Sequence, residues 1–172
     1  EGGCTYFIAK FNDRTIGSIR MIRQDVLPTE KYFIFQEPKE ILNIPKDKRC
    51  EFGRFVIDAL DRKNKKFLPR GLVMLFMFLT LNDYAISKGI IGGYSFVKES
   101  LINKMRKLKM PVKVLEGYAQ NYPGGVLYRY FNQPNDKVIP IYFLASNFNE
   151  YIKNKINRRF IFTKVNSTDY IL

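Results

Sequence analysis

Short alternating stretches and one long apolar run divide the chain. Tyr6 to Phe11 alternates as a strand does, Asn12-Asp13-Arg14 supplies turn residues, and Thr15 to Ile22 returns, so a hairpin is expected. In the returning strand Ile16, Ser18 and Arg20 share one face, and Gly17, Ile19 and Met21 the other. Asp25 to Lys48 is broken by Pro28, Pro38 and Pro45. It is expected to be a covering loop with one short helix near Pro38 to Leu42. Cys50 to Asp58 reads as a strand. Gly71 to Ser87 reads as a helix, with Pro69 before it and Gly89 as its stop. Its first ten residues are apolar on nearly all sides, which places it deep in the fold. Ile90 to Val97 is a further strand and Glu99 to Leu108 a short amphipathic helix. Val112 to Tyr118, Val126 to Phe131 and Val138 to Leu144 read as strands, and Asn149 to Arg159 as a basic helix. Phe160 to Leu172 is left unassigned.

This order predicts one domain of the α/β (α+β) class: a mixed, mostly antiparallel central sheet with helices packed on it. A right-handed crossover would carry strand Cys50 to Asp58 through the deep helix to Ile90 to Val97. The core is expected over about residues 5 to 145, with a basic extension from about 146 to 172. At 172 residues the chain can bury a substantial core. No apolar run reaches the roughly 18 residues a membrane helix needs; the longest is Gly71 to Leu81. The first residue is Glu, and the natural chain is expected to begin earlier.

Composition narrows the chemistry. There is no His and no Trp, so Ser-His and Cys-His pairs and His-based metal sites are excluded. Cys4 and Cys50 are too few for a Cys-only zinc site or a secreted disulfide framework. A reduced, cytoplasmic setting is expected. Lys and Arg number 29 against 16 Asp and Glu, a net charge of +13. Three clusters carry much of it: Arg62, Lys63, Lys65, Lys66 and Arg70; Lys104, Arg106, Lys107 and Lys109; Lys153, Lys155, Arg158 and Arg159. Any one could be a solvated face, but three of one sign on a small domain point to a polyanionic partner.

Two places could hold a site. Lys63 to Leu72 is a basic loop ending at a helix N-terminus, where free N–H groups attract anions. It is not a Walker loop and not a dinucleotide fingerprint, since only Gly71 could admit close backbone approach. The strand Cys50-Glu-Phe-Gly-Arg-Phe-Val-Ile-Asp58 is the densest cluster of ionisable groups. Alternation puts Glu51 and Arg54 on opposite faces unless a bulge at Gly53 intervenes. Arg20 on the adjacent hairpin is then the better partner for Glu51, since a carboxylate inside a sheet needs a cation.

Gly17-Ser18-Ile19-Arg20, Leu27-Pro28-Thr29 and Glu51-Phe52-Gly53-Arg54-Phe55 form an ordered series. It resembles that of the acyl-homoserine-lactone synthases and the related N-acyl amino acid synthases, both within the GCN5-related N-acetyltransferase (GNAT) type of fold. The resemblance covers roughly Tyr6 to Leu144. Gly53, where the lactone synthases usually carry Ser or Thr, leans toward the N-acyl amino acid synthases. The loop Arg62 to Gly71 lacks the Gly-x-Gly/Ala of acetyl-CoA enzymes, which fits a donor held by a phosphopantetheine arm.

The resemblance implies transfer of a fatty acyl group from a thioester to an amine. Glu51 would be the base, or would bind the substrate ammonium; Arg20 would set its position and charge or hold the acceptor's carboxylate, for which Arg54 is the second candidate. Backbone near Phe55, Val56 and Ile57, with Lys65, Lys66, Arg70 and Gly71, would hold the thioester and its arm. Met74, Leu75, Met77, Phe78 and Phe96 would line the acyl chain. Arg62, Lys63, Lys104, Arg106 and Lys107 would dock an acidic acyl carrier protein, the expected partner beside an amino-acid acceptor. No metal and no permanently bound cofactor is expected; the donor is acyl-phosphopantetheine or acyl-CoA. The alternatives are a lactone synthase using S-adenosylmethionine, an acetyl-CoA-dependent acetyltransferase and, more distantly, a basic nucleic-acid-binding module. On the first reading no nucleic acid is expected.

Overall fold

The computed structural model describes residues 3–11, 13–58, 70–122, 124–157, 163–164 and 170–171. The hairpin is present: β1 (Cys4–Phe11) pairs antiparallel with β2 (Arg14–Ile22), and the turn residue Asp13 has φ 61°. The segment after it is more structured than a covering loop. It holds α1 (Pro28–Tyr32), β3 (Phe33–Ile34), α2 (Lys39–Leu42) and a 3-10 turn, Lys46–Lys48. Then follow β4 (Arg49–Ile57), α3 (Arg70–Ser87), β5 (Gly92–Lys98), α4 (Glu99–Lys107) and β6 (Val112–Val114). The chain continues with β7 (Ala119–Gln120), α5 (Tyr128–Phe131), β8 (Val138–Leu144), α6 (Ala145–Asn157), β9 (Thr163–Lys164) and β10 (Tyr170–Ile171).

Six strands form the central sheet in the order β1-β2-β4-β5-β8-β6. All neighbours are antiparallel except β4 and β5. The parallel pair flanks α3, as the crossover expectation requires. Gly93 makes that pairing possible, since a Cβ there would lie 1.8 Å from the Cys50 carbonyl oxygen. At the other end of α3, Gly89 adopts φ 73° and lets Ile90 N–H return to Ala85 O at 2.9 Å.

The two faces are covered differently. On one, α3, α4 and α6 pack: Met77, Phe78, Leu81, Ile102, Met105, Phe148 and Ile152 join Ile19, Met21, Cys50 and Phe52 in the main core. On the other lies the segment from α1 to α2, which seats Leu27, Ile41 and Ile44 on Tyr94 and Tyr142. Phe33 and Phe131 extend that cover beside Phe96.

Three expectations are corrected. Val126 to Phe131 is not a strand; its apolar residues form a turn and α5, which drives Phe131 into the aromatic cover while Val126 stays fully exposed. The strand expected over Val112 to Tyr118 stops at Val114, and Gly117 turns the chain with φ 61° so that β7 can pair with β3. The C-terminal helix starts at Ala145, before Asn149, and is not an appendage: Phe148 and Ile152 are buried in the main core. Cys4 and Cys50 are both free thiols.

Candidate active site

β4 is irregular where it matters. Arg20 on β2 faces Gly53, and Ser18 faces Val56, so three steps on β4 match two on β2. The extra residue is accommodated at Arg54, whose φ of 52° lies in the left-handed region. The bulge resets the alternation. Cys50 and Phe52 face the helices before it, Phe55 and Ile57 after it; the Phe55 ring stacks on Phe78 with centroids 5.2 Å apart. Strict alternation would have put Arg54 across the sheet from Glu51. Instead its Nη1 donates to the Tyr6 hydroxyl at 3.3 Å, and Tyr6 pairs directly with Arg20. Glu51, Arg20 and Arg54 therefore share one face.

The bulge also coincides with a parting of strands. β4 and β5 pair only as far as Phe52 and Ser95, although β4 continues to Ile57 and β5 to Lys98. The Ser95 hydroxyl closes the apex by donating to Phe52 O at 2.6 Å. Beyond it β5 stays with β8 to Lys98 while β4 stays with β2 to Ile57. A wedge opens between them, with Glu51 one residue before its apex.

Glu51 is 2% exposed. Its Oε2 accepts the Thr29 backbone N–H at 2.6 Å, in the first turn of α1. The expected Arg20–Glu51 ion pair is not formed. Arg20 acts on the carboxylate through space only, and its own Nε is buried without a hydrogen-bond partner. The Thr29 hydroxyl stands beside the same carboxylate, buried and outside hydrogen-bonding geometry. Burial dominates and raises the Glu51 carboxyl to about 8; the Thr29 N–H and Arg20 oppose this, and the Glu30 charge adds to it.

The buried cation is committed elsewhere. Arg49 donates to Glu37, to Ile44 O at 2.7 Å and to Leu42 O at 3.4 Å, and lies 3.8 Å from Glu30. Tyr94, beside Glu51 on β5, donates its hydroxyl to Glu37 at 2.8 Å. Glu30 accepts the Leu27 N–H at 2.7 Å. This network ties the α1–α2 cover to the sheet and leaves Glu51 without a counter-ion among the described residues. Sequence reading missed Arg49, Glu37, Tyr94 and the Thr29 amide. Pro28 followed two residues later by Glu30 was the available sign of a helix start there.

The remaining candidates divide. Met74, Met77 and Phe78 lie together in the helix-side core, with Leu75 half-exposed. Phe96 does not join them: it lies on the opposite face with Tyr32, Phe33 and Phe131, because Val97 takes the helix-facing position of β5. Val56 is exposed, and Gly71 is exposed in the first turn of α3. Lys104, Arg106 and Lys107 are exposed on α4. Arg62, Lys63, Lys65 and Lys66 lie outside the described residues, as does the side chain of Arg70. Among the described residues no group of three Cys, Asp or Glu could hold a metal ion, and no helix is long and apolar enough to cross a membrane.

No protein-family model matches this chain, and no curated protein matches its sequence. Solved structures do. BjaI, a CoA-dependent acyl-homoserine lactone synthase solved with SAM and isopentyl-CoA, is 13% identical with a TM-score of 0.54. MesI, another CoA-dependent synthase, gives 16% and 0.55, and the synthase LasI 12% and 0.56. The fold is that of the acyl-homoserine lactone synthases. This is the GNAT-like architecture expected from the ordered motifs. The match covers 90% of this chain with BjaI and MesI and 87% with LasI, but only 64, 69 and 68% of those proteins. The chain thus spans less than two thirds of BjaI.

Proposed function

We propose that this chain is an N-acyltransferase that moves a fatty acyl group from a thioester to the amine of an amino acid. The observation that carries the reading is Glu51: a buried carboxyl with no counter-ion among the described residues, raised to about 8, one residue before the apex of the wedge between β4 and β5. A group that titrates near working pH is suited to proton transfer. Arg20 and Arg54 flank it on the same face, and neither is paired with a carboxylate among the described residues. An amino acid matches that pattern, with its amine at Glu51 and its carboxylate toward the guanidinium groups.

The chemistry then balances. The amine nitrogen attacks the thioester carbonyl, and backbone N–H groups of the Phe55–Ile57 stretch, which has no β5 partner, face the developing oxyanion. The C–N bond forms and the C–S bond breaks. Glu51 takes the amine proton and returns it to the departing thiolate, giving an amide and a free thiol. Acyl carrier protein is the proposed donor, docked by the basic clusters; Lys65, Lys66, Arg70 and Gly71 would receive its arm.

A second reading is favoured by the neighbours. BjaI and MesI are CoA-dependent by name, and BjaI was solved with SAM. Acyl-CoA as donor and SAM as acceptor would make this chain a lactone synthase. Thiol release separates the readings when acyl carrier protein or acyl-CoA is paired in turn with amino acids or SAM. Release is expected with an amino acid, and none in Glu51→Gln. Turnover of Glu51→Gln at the native rate would remove Glu51 as base.

A further inference from the structure

The central sheet ends on one side with three-residue β6 and on the other with eight-residue β1, which among the described residues pairs only with β2. The hydrogen bond from Arg23 N–H to Gly3 O, 2.6 Å, fixes the phase of that pairing. Inward backbone groups belong to Gly3, Thr5, Phe7 and Ala9. The N–H and C=O groups of Cys4, Tyr6, Ile8 and Lys10 point away from the sheet, with no partner strand among the described residues. Natural edges of this length are usually blunted by Pro, by inward charges or by a bulge. From Cys4 to Ala9 this strand has no Pro and no charge, and its only register shift comes between Ala9 and Lys10. Tyr6 and Ile8 are 48% and 50% exposed.

We propose that this edge pairs antiparallel with the β1 of a second copy, making one sheet continuous across a two-fold axis at Phe7. The strand is its own best complement. Only a centre on an odd-numbered position between the outward residues uses all four of them, and Phe7 is that centre. Cys4 then faces Lys10 of the second copy, and Tyr6 faces its Ile8. The one charge on the strand therefore never meets itself, and the exposed apolar pair becomes two aromatic–β-branched contacts, a favourable cross-strand combination. Tyr6 also accepts the Arg54 hydrogen bond, so Ile8 of the second copy would close over the ring that supports the site.

The test is the mass of the 172-residue protein by light scattering across a concentration series, in salt that screens its charge of +13. A dimer is expected. Ile8→Pro deletes an outward N–H that β2 does not use, and should give monomers with the native circular dichroism. Ile8→Lys serves the same purpose if the proline variant does not fold. Lys10→Cys should yield a disulfide-linked dimer on mild oxidation, from Cys4 of one copy to the introduced thiol of the other. A protein that stays monomeric at every concentration overturns the proposal. So does a dimer that survives both Ile8 variants and gives no cross-link. A monomer whose Tyr6 and Ile8 amides resist hydrogen exchange would also overturn it, by showing another segment on the edge.

Discussion

At the scale of single residues, Glu51 bears most of the proposed chemistry. An ordinary glutamate ionises near 4.5; burial holds this one protonated up to about 8. The rate should therefore rise with pH and level off above about 8, because only the ionised form accepts a proton. Stability should run the other way. Between about 4.5 and 8 the unfolded carboxyl has lost its proton and the folded one has kept it, so unfolding releases a proton. The melting temperature should fall as pH rises through that window, relative to Glu51→Gln, and the difference should stop growing above about 8. Gln keeps an acceptor for the Thr29 N–H, so the comparison isolates the charge. Parallel melting curves for the two proteins would show that Glu51 is not buried as described. The residue itself was legible in the sequence, by its place in an ordered series. Its lack of a counter-ion among the described residues was not, because the buried cation, Arg49, is committed to Glu37 and Glu30 through folding that brings α1 and α2 over the sheet.

At the scale of elements, strands and long helices were readable because their periodicity spans many residues: the hairpin, β4, α3, α4 and β8 lie close to where the pattern puts them. Short elements were not, apart from α2, which lies where a short helix near Pro38 to Leu42 was expected. β3 and β7 are two residues each and exist only because they pair with each other. The bulge that the sequence allowed at Gly53 falls at Arg54, and that one residue in a left-handed conformation moves Arg54 onto the face of Glu51. Phe96 shows the opposite case, where plain alternation on β5 separates it from Met74, Met77 and Phe78 in the helix-side core. The cover from α1 to α2 rests on Arg49. Replacing it with Met should leave the part-buried Glu37 and Glu30 without their cation and destabilise the fold by about 2 kcal/mol, the scale of lost hydrogen bonds to charged groups. Hydrogen exchange should then open Leu27 to Ile44 before the sheet. Uniform loss of protection across β2, β4 and β8 would show that the cover has no separate stability.

For the whole molecule, charge and fold bear on the donor. Lys104, Arg106 and Lys107 are exposed on α4 while Ile102 and Met105 bury its other face, so charge can be reversed there without touching the core. Lys104→Glu with Lys107→Glu should raise the KM for acyl carrier protein several-fold and leave that for a short acyl thioester unchanged. Equal changes for both donors would remove α4 from docking. The net charge of +13 was plain in the sequence, as was the fold class; the identity of the polyanion was not, since composition reads sign and not shape. The most direct test of the acyl-transfer account is mass spectrometry of lipid extracts from cells producing the protein, with cells producing Glu51→Gln beside them. The account predicts long-chain N-acyl amino acids in the first and none in the second. Acyl lactones in their place, or N-acyl amino acids at equal levels in both, would contradict it.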